Sequence, residues 1–139
     1  MEGELARFYG LGGVAWSGGR LVLATSSGVG VSDDGGAQWT WSRIGLEAVT
    51  YSVDPLTEAI PEAEQGQAFG FTLARIDPGK PDRIWVAGPL GAYRSDDGGQ
   101  SWEQVGDVMQ VDGLVVSTVA ERVFVLTEGV TRVWTLEGT

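Results

Sequence analysis

The chain has 139 residues, no cysteine and no histidine, so it holds no disulfide, no thiolate metal site and no imidazole for a Ser-His-Asp triad or a histidine-ligated zinc. Its net charge of −10 at pH 7 denies it the basic footprint by which nucleic acid and anionic membranes are bound. No apolar run approaches the roughly 20 residues that cross a bilayer, and 22 glycines among short apolar runs, with six tryptophans, predict tight turns and an all-β chain.

The N-terminal MEGELAR lacks the basic start and long apolar run of a secretory signal. The chain therefore reads as soluble and cytoplasmic, although a removed leader would leave no trace. ELARFYG at 4–10 is a strand candidate with no hairpin partner before it, and VAWS at 14–17 is a candidate inner strand. From 20 to 39 runs RLVLATSSGVGVSDDGGAQW. It reads as a strand, a loop over Thr25, Ser26, Ser27 and Gly28, a second strand from Val29, an SDDGG turn, and a third strand opened by Trp39.

Residues 46–67, LEAVTYSVDPLTEAIPEAEQGQ, break the pattern with Pro55 and Pro61 and with the acids Glu47, Asp54, Glu58, Glu62 and Glu64. They are expected to be a solvated insertion. The competing reading is a binding face made by Tyr51, Asp54, Glu58 and Glu62 with the hairpin loops that carry Ser26, Ser27 and Leu90, because binding residues concentrate on such loops.

The stretch RIWVAGPLGAYRSDDGGQSW at 83–102 then repeats 20–39 without a gap at an offset of 63. Such self-similarity sets the architecture. A degenerate third unit follows in DGLVVST at 112–118, RVFVLT at 122–127 and GVTRVWTL at 129–136. The chain is thus expected to be one β domain over 1–139, with approximate repeats at 11–45, 68–106 and 111–139, a supplementary strand at 4–10 and the insertion at 46–67.

The turn residues have a common logic. Ser and Asp side chains accept hydrogen bonds from nearby backbone N–H groups and close a tight loop, glycine takes the positive φ, and Trp folds back as a large apolar plug. Ser32, Asp34, Gly36 and Trp39 form one such set, and Ser95, Asp97, Gly99 and Trp102 the other. The pairs Asp33–Asp34 and Asp96–Asp97 also admit a metal or acid/base reading, which the turn reading outweighs.

The pattern Ser-x-Asp-x-Gly-x-x-Trp resembles the Asp box, or BNR repeat, of sialidases, sortilin-like receptors, xyloglucan hydrolases and photosystem II assembly factors. Gln38 and Ser101 stand where that family often has Thr. The resemblance implies β-propeller blades, about three with one incomplete, closed by oligomerisation or belonging to a larger propeller. A β-sandwich is the alternative. The motif stabilises a hairpin in proteins of many activities, so it implies no reaction.

The function expected is a non-catalytic binding or assembly scaffold, with no cofactor, no metal and no catalytic residue. Its partner is expected to be a second copy, a dimer with residues 4–10 exchanged, or other protein subunits. The alternatives are a glycosidase- or sialidase-like propeller enzyme or a fragment of one, and a structural subunit of a large complex. Sialidase-like enzymes carry an Arg-Ile-Pro motif, whereas the nearest strings here are Arg75-Ile76-Asp77 and Arg83-Ile84-Trp85.

Overall fold

Alternating apolar runs bounded by glycine give strands, and the computed structural model, which describes residues 13–25, 28–50 and 70–136, contains eleven of them. They are β1 (Gly13–Ser17), β2 (Arg20–Thr25), β3 (Gly28–Ser32), β4 (Thr40–Ser42), β5 (Leu73–Ile76), β6 (Ile84–Gly88), β7 (Gly91–Ser95), β8 (Glu103–Gln104), β9 (Val111–Ser117), β10 (Arg122–Thr127) and β11 (Val130–Thr135). No helix occurs among the described residues. The strands form three antiparallel sheets, ordered β1-β2-β3-β4, β5-β6-β7-β8 and β9-β10-β11. Each is a meander in which neighbours in sequence are neighbours in space.

The register carries the repeat into three dimensions. Leu21 to Thr25 pair with Ser32 to Gly28 in the first sheet, and Ile84 to Gly88 pair with Ser95 to Gly91 in the second. In the third sheet β10 pairs β11 from Arg122↔Thr135 to Thr127↔Val130. The first strands of the sheets, β1, β5 and β9, make the closest approaches between sheets. At Gly13 an added Cβ would lie 2.6 Å from the Leu73 carbonyl carbon, so the two inner strands meet backbone to backbone.

Two cores lie between the sheets. The first joins Val22, Ala24, Val29 and Val31 of the first sheet to Ala74, Ile76, Ile84, Val86 and Tyr93 of the second, with Phe71, Leu46, Val49 and Trp102. The second joins Trp85, Ala87 and Ala92 of the second sheet to Leu114, Val123 and Val125 of the third. Having a sheet on either side, β6 is buried at every position.

Two expectations need correction. Residues 46–50 begin the supposed solvated insertion, yet Leu46, Val49 and Thr50 are buried. Turn hydrogen bonds from Leu46 N–H to Arg43 O and from Val49 N–H to Leu46 O fold the segment under the first core, and the Arg43 guanidinium donates to Thr50 Oγ1. Trp39 and Trp102 are not equally buried: Trp102 is 4% exposed, whereas Trp39 is half-buried. Trp102 lies between two sheets, and the face of the first sheet that carries Trp39 has no sheet stacked on it among the described residues. The strand expected at 4–10 and the binding-face residues Tyr51, Asp54, Glu58, Glu62, Ser26 and Ser27 lie outside the described residues. Leu90 is described, and it packs half-buried against the first core.

Candidate functional site

The two SDDGG turns share one hydrogen-bond scheme. In the first, Ser32 Oγ accepts from Gly36 N–H at 2.8 Å and donates to Asp34 Oδ1 at 2.9 Å, and Asp34 Oδ1 also accepts from Gln38 N–H at 2.9 Å. In the second, Ser95 Oγ accepts from Gly99 N–H at 2.9 Å and donates to Asp97 Oδ1 at 2.7 Å. Asp97 Oδ1 further accepts the N–H groups of Gln100 and Ser101, and Ser101 Oγ donates to Oδ2 at 2.6 Å. The loop closes only with left-handed backbone at the paired glycines, with φ of 74° and 100° at Gly35 and Gly36 and of 73° and 90° at Gly98 and Gly99.

These contacts set the carboxylates. The Gln38 N–H and the Ser32 hydroxyl hold Asp34 below the ordinary carboxylate range. At Asp97 burial works against ionisation, but the bonds from Ser101, Ser95 and Gln100 outweigh it, and its pKa is also lowered. The unfolded chain, with carboxylates near the reference value of about 3.9, therefore takes up protons first as the solution is acidified. The contribution of both turns is full above that value and is lost as pH falls through the folded values. The urea midpoint is expected to stay flat from neutrality to about pH 5 and to fall below about pH 4. Asp97→Asn should make that fall shallower, and an unchanged acid slope in that variant would show that the turn does not carry it.

The other aspartate of each turn meets an arginine thirteen positions earlier in the sequence. Arg20 Nε donates to Asp33 Oδ1 at 2.6 Å, and Arg83 Nε to Asp96 Oδ1 at 3.2 Å. Arg20 then reaches across to the second sheet, where its Nη1 donates to Pro81 O at 2.6 Å and to Asp82 Oδ1 at 3.0 Å. The hydrogen bond with Asp33, opposed by burial, raises the Arg20 pKa above its ordinary value. Arg94 makes the corresponding reach to the third sheet: it donates to Asp96 Oδ2 at 2.9 Å and to Leu136 O at 3.3 Å. Neither arginine was assigned a role from the sequence. For Arg20, as for Arg83, a signal was present in the constant spacing of thirteen residues between the Arg that opens each repeat and the first Asp of its turn.

Between the first two turns is an open cleft of about 700 Å³, lined by Arg20, Asp33, Asp82, Asp96, Asp97 and Gln100 among others. Its carboxylates are taken up internally: Asp33 and Asp82 by Arg20, Asp96 by Arg83 and Arg94, and Asp97 by its own turn. A glycosidase acid needs a carboxyl whose pKa is raised so that it carries a proton near neutrality. Asp34 and Asp97 are shifted the opposite way. The acids act here as staples that close turns and tie sheet to sheet.

A second surface is apolar. On the outer side of the first sheet, Val14 and Trp16 are 64% and 74% exposed, beside Leu21 and the Trp39–Trp41 pair, whose rings stack at 6.2 Å and 27°. Trp16 Nε1–H donates to Gly18 O and Trp39 Nε1–H to Gly36 O, so both indoles satisfy their donors locally and present hydrocarbon outward. The outer side of the third sheet exposes Val115, Leu126 and Val133 around Phe124.

No protein-family model matches the chain, and no curated protein matches it. Among solved structures, an ancestral GH74 enzyme is similar over 83% of this chain and 16% of that one, with a TM-score of 0.55 and 16% sequence identity. The GH74 enzyme of Niastella koreensis is similar over 86% and 16% of the two chains, with a TM-score of 0.50 and 17% identity. YCF48 bound to D1 peptide is similar over 90% and 38%, with a TM-score of 0.45 and 14% identity. The chain thus spans 16% of the length of either GH74 enzyme. The likeness is one of fold: the three sheets are blades of a β-propeller, and the third has three strands among the described residues.

Proposed function

We propose that the chain is a non-catalytic propeller scaffold, one domain over residues 1–139 with repeats of the Asp-box type, that binds or assembles with protein subunits in the cytoplasm. The observation that carries this reading is the disposition of its polar and apolar groups. The carboxylates of the inter-sheet cleft are engaged by Arg20, Arg83, Arg94 and the turn donors, while Val14 and Trp16 stand exposed on a sheet face beside the half-buried Trp39 and Trp41. Large exposed apolar patches mark surfaces for other macromolecules. The acidic cleft is also the wrong sign for nucleic acid.

The test is an assay of the purified chain on sialosides and β-glucans. The expected result is no hydrolysis above the uncatalysed rate. Turnover that disappears in Asp82→Asn or Asp96→Asn would overturn the reading. A second reading, that the chain is a portion of a larger propeller glycosidase, draws on its resemblance in fold to the GH74 enzymes. It requires two suitably placed carboxylates, for which Asp54, Glu58 and Glu62 of the 46–67 segment are the candidates.

A further inference from the structure

The sheets of this chain stack in one sense only. A front face, represented in the first sheet by Val22, Ala24, Val29 and Val31, receives the back face of the following sheet, represented in the second by Ile84, Val86 and Tyr93. The same polarity recurs at the next junction, where Trp85, Ala87 and Ala92 on the front of the second sheet receive Leu114, Val123 and Val125 on the back of the third. Residues paired across antiparallel strands share a face, so the registers identify what is left over.

The first sheet retains a back face: Val14 pairs with Leu23 and Trp16 with Leu21. The third retains a front face, where Phe124 pairs with both Val115 and Val133. The leftovers are therefore the two halves of the junction that the chain already makes twice. Trp39 shows the relation most directly. It occupies the repeat position of Trp102, which the front of the first sheet covers so closely that Val31 Cγ2 would lie 2.6 Å from a Cβ on Gly99. Trp39 has the same place in its own sheet and is only half-buried.

We infer that the back of the first sheet docks on the front of the third sheet of a second copy of this chain, in the stacking that joins the sheets within each copy. The inference rests on the scaffold reading and names its partner. The contact is heterologous, since one copy contributes its first sheet and the other its third, and such contacts close into rings or continue as filaments according to the rotation. Two copies give six sheets, within the range of closed propellers.

The polarity makes the contact testable by complementation. Trp16→Asp and Val133→Asp alter exposed side chains on the two opposite faces, and near-ultraviolet circular dichroism checks that each variant keeps its fold. Val14→Asp and Val115→Asp serve as second variants on the same faces. Sedimentation equilibrium of the unaltered chain should show concentration-dependent association. Either variant alone should weaken it at least about tenfold, which corresponds to roughly 1.4 kcal/mol. A mixture of the two should recover association, because one of its two junctions then joins unaltered faces. A monomer at the highest soluble concentration would overturn the inference. So would loss of association in Trp16→Asp with none in Val133→Asp, which would mean that first sheets pair with each other or with a different partner. The hydrolysis assay is independent of both results, so failure of this contact leaves the scaffold reading standing and separately testable.

Discussion

Trp102→Ala is expected to lower unfolding stability by roughly 3–5 kcal/mol, as truncation of a large buried aromatic does, while Trp39→Ala at the equivalent position costs roughly 1–2 kcal/mol for a side chain with less area to lose. Trp102 is 4% exposed and belongs to the first core with Val31, Leu46 and Ile84. Its removal opens a void that the two β-sheets cannot close without parting. Its indole N–H has no hydrogen-bond partner among the described residues, so Trp102→Phe keeps most of the plug and discards a buried orphan donor, and should cost less than half as much as Ala. Urea unfolding of the three variants measures the series. Equal losses for Trp39→Ala and Trp102→Ala would contradict the account of which sheet faces are covered.

The second large effect is at a glycine. Gly45 has φ +90°, and a Cβ there would collide with the carbonyl oxygen of Trp102. The loop cannot retreat easily, because Trp102 N–H donates to Ile44 O at 3.0 Å and Leu46 N–H to Arg43 O at 2.7 Å. Gly45→Ala therefore combines left-handed strain of roughly 1–2 kcal/mol with overpacking of roughly 1–3 kcal/mol. Gly35 is the control: its φ is +74°, but nothing lies within 4 Å of an added Cβ. Gly35→Ala should show the strain alone. If the two variants lost the same stability, the contact between the 43–46 loop and the second blade would not be one that matters.

The strands of the repeat were legible because two copies align without a gap: β2, β3, β6 and β7 fall where the apolar runs at 20–39 and 83–102 place them. β10 coincides with RVFVLT. β5 was not legible. LARI is short and carries Arg75, and its strand character comes from pairing with β6, Leu73 with Ala87 and Ile76 with Ile84, which no local pattern encodes. The turn residues were readable as chemistry, since Ser, Asp and Gly each suit the one conformation that the loop requires. Burial at the following Trp was not. It depends on whether another sheet covers that face, and the same motif gives a covered Trp102 and a half-covered Trp39. The inter-sheet staples of Arg20 and Arg94 were missed for a related reason, because Pro81 O and Leu136 O are distant backbone acceptors with no side-chain signature.

The two cores have no residue in common, and the second sheet is the one that contributes to both. Trp85 and Val86, adjacent in β6, face opposite ways and belong to different cores. The blades are therefore coupled as links in a row, each stabilised by its neighbours, rather than as parts of a common centre. Within the chain, a packing defect in β9–β11 is felt at one junction. A defect in β6 is felt at two, so the second blade couples the two cores.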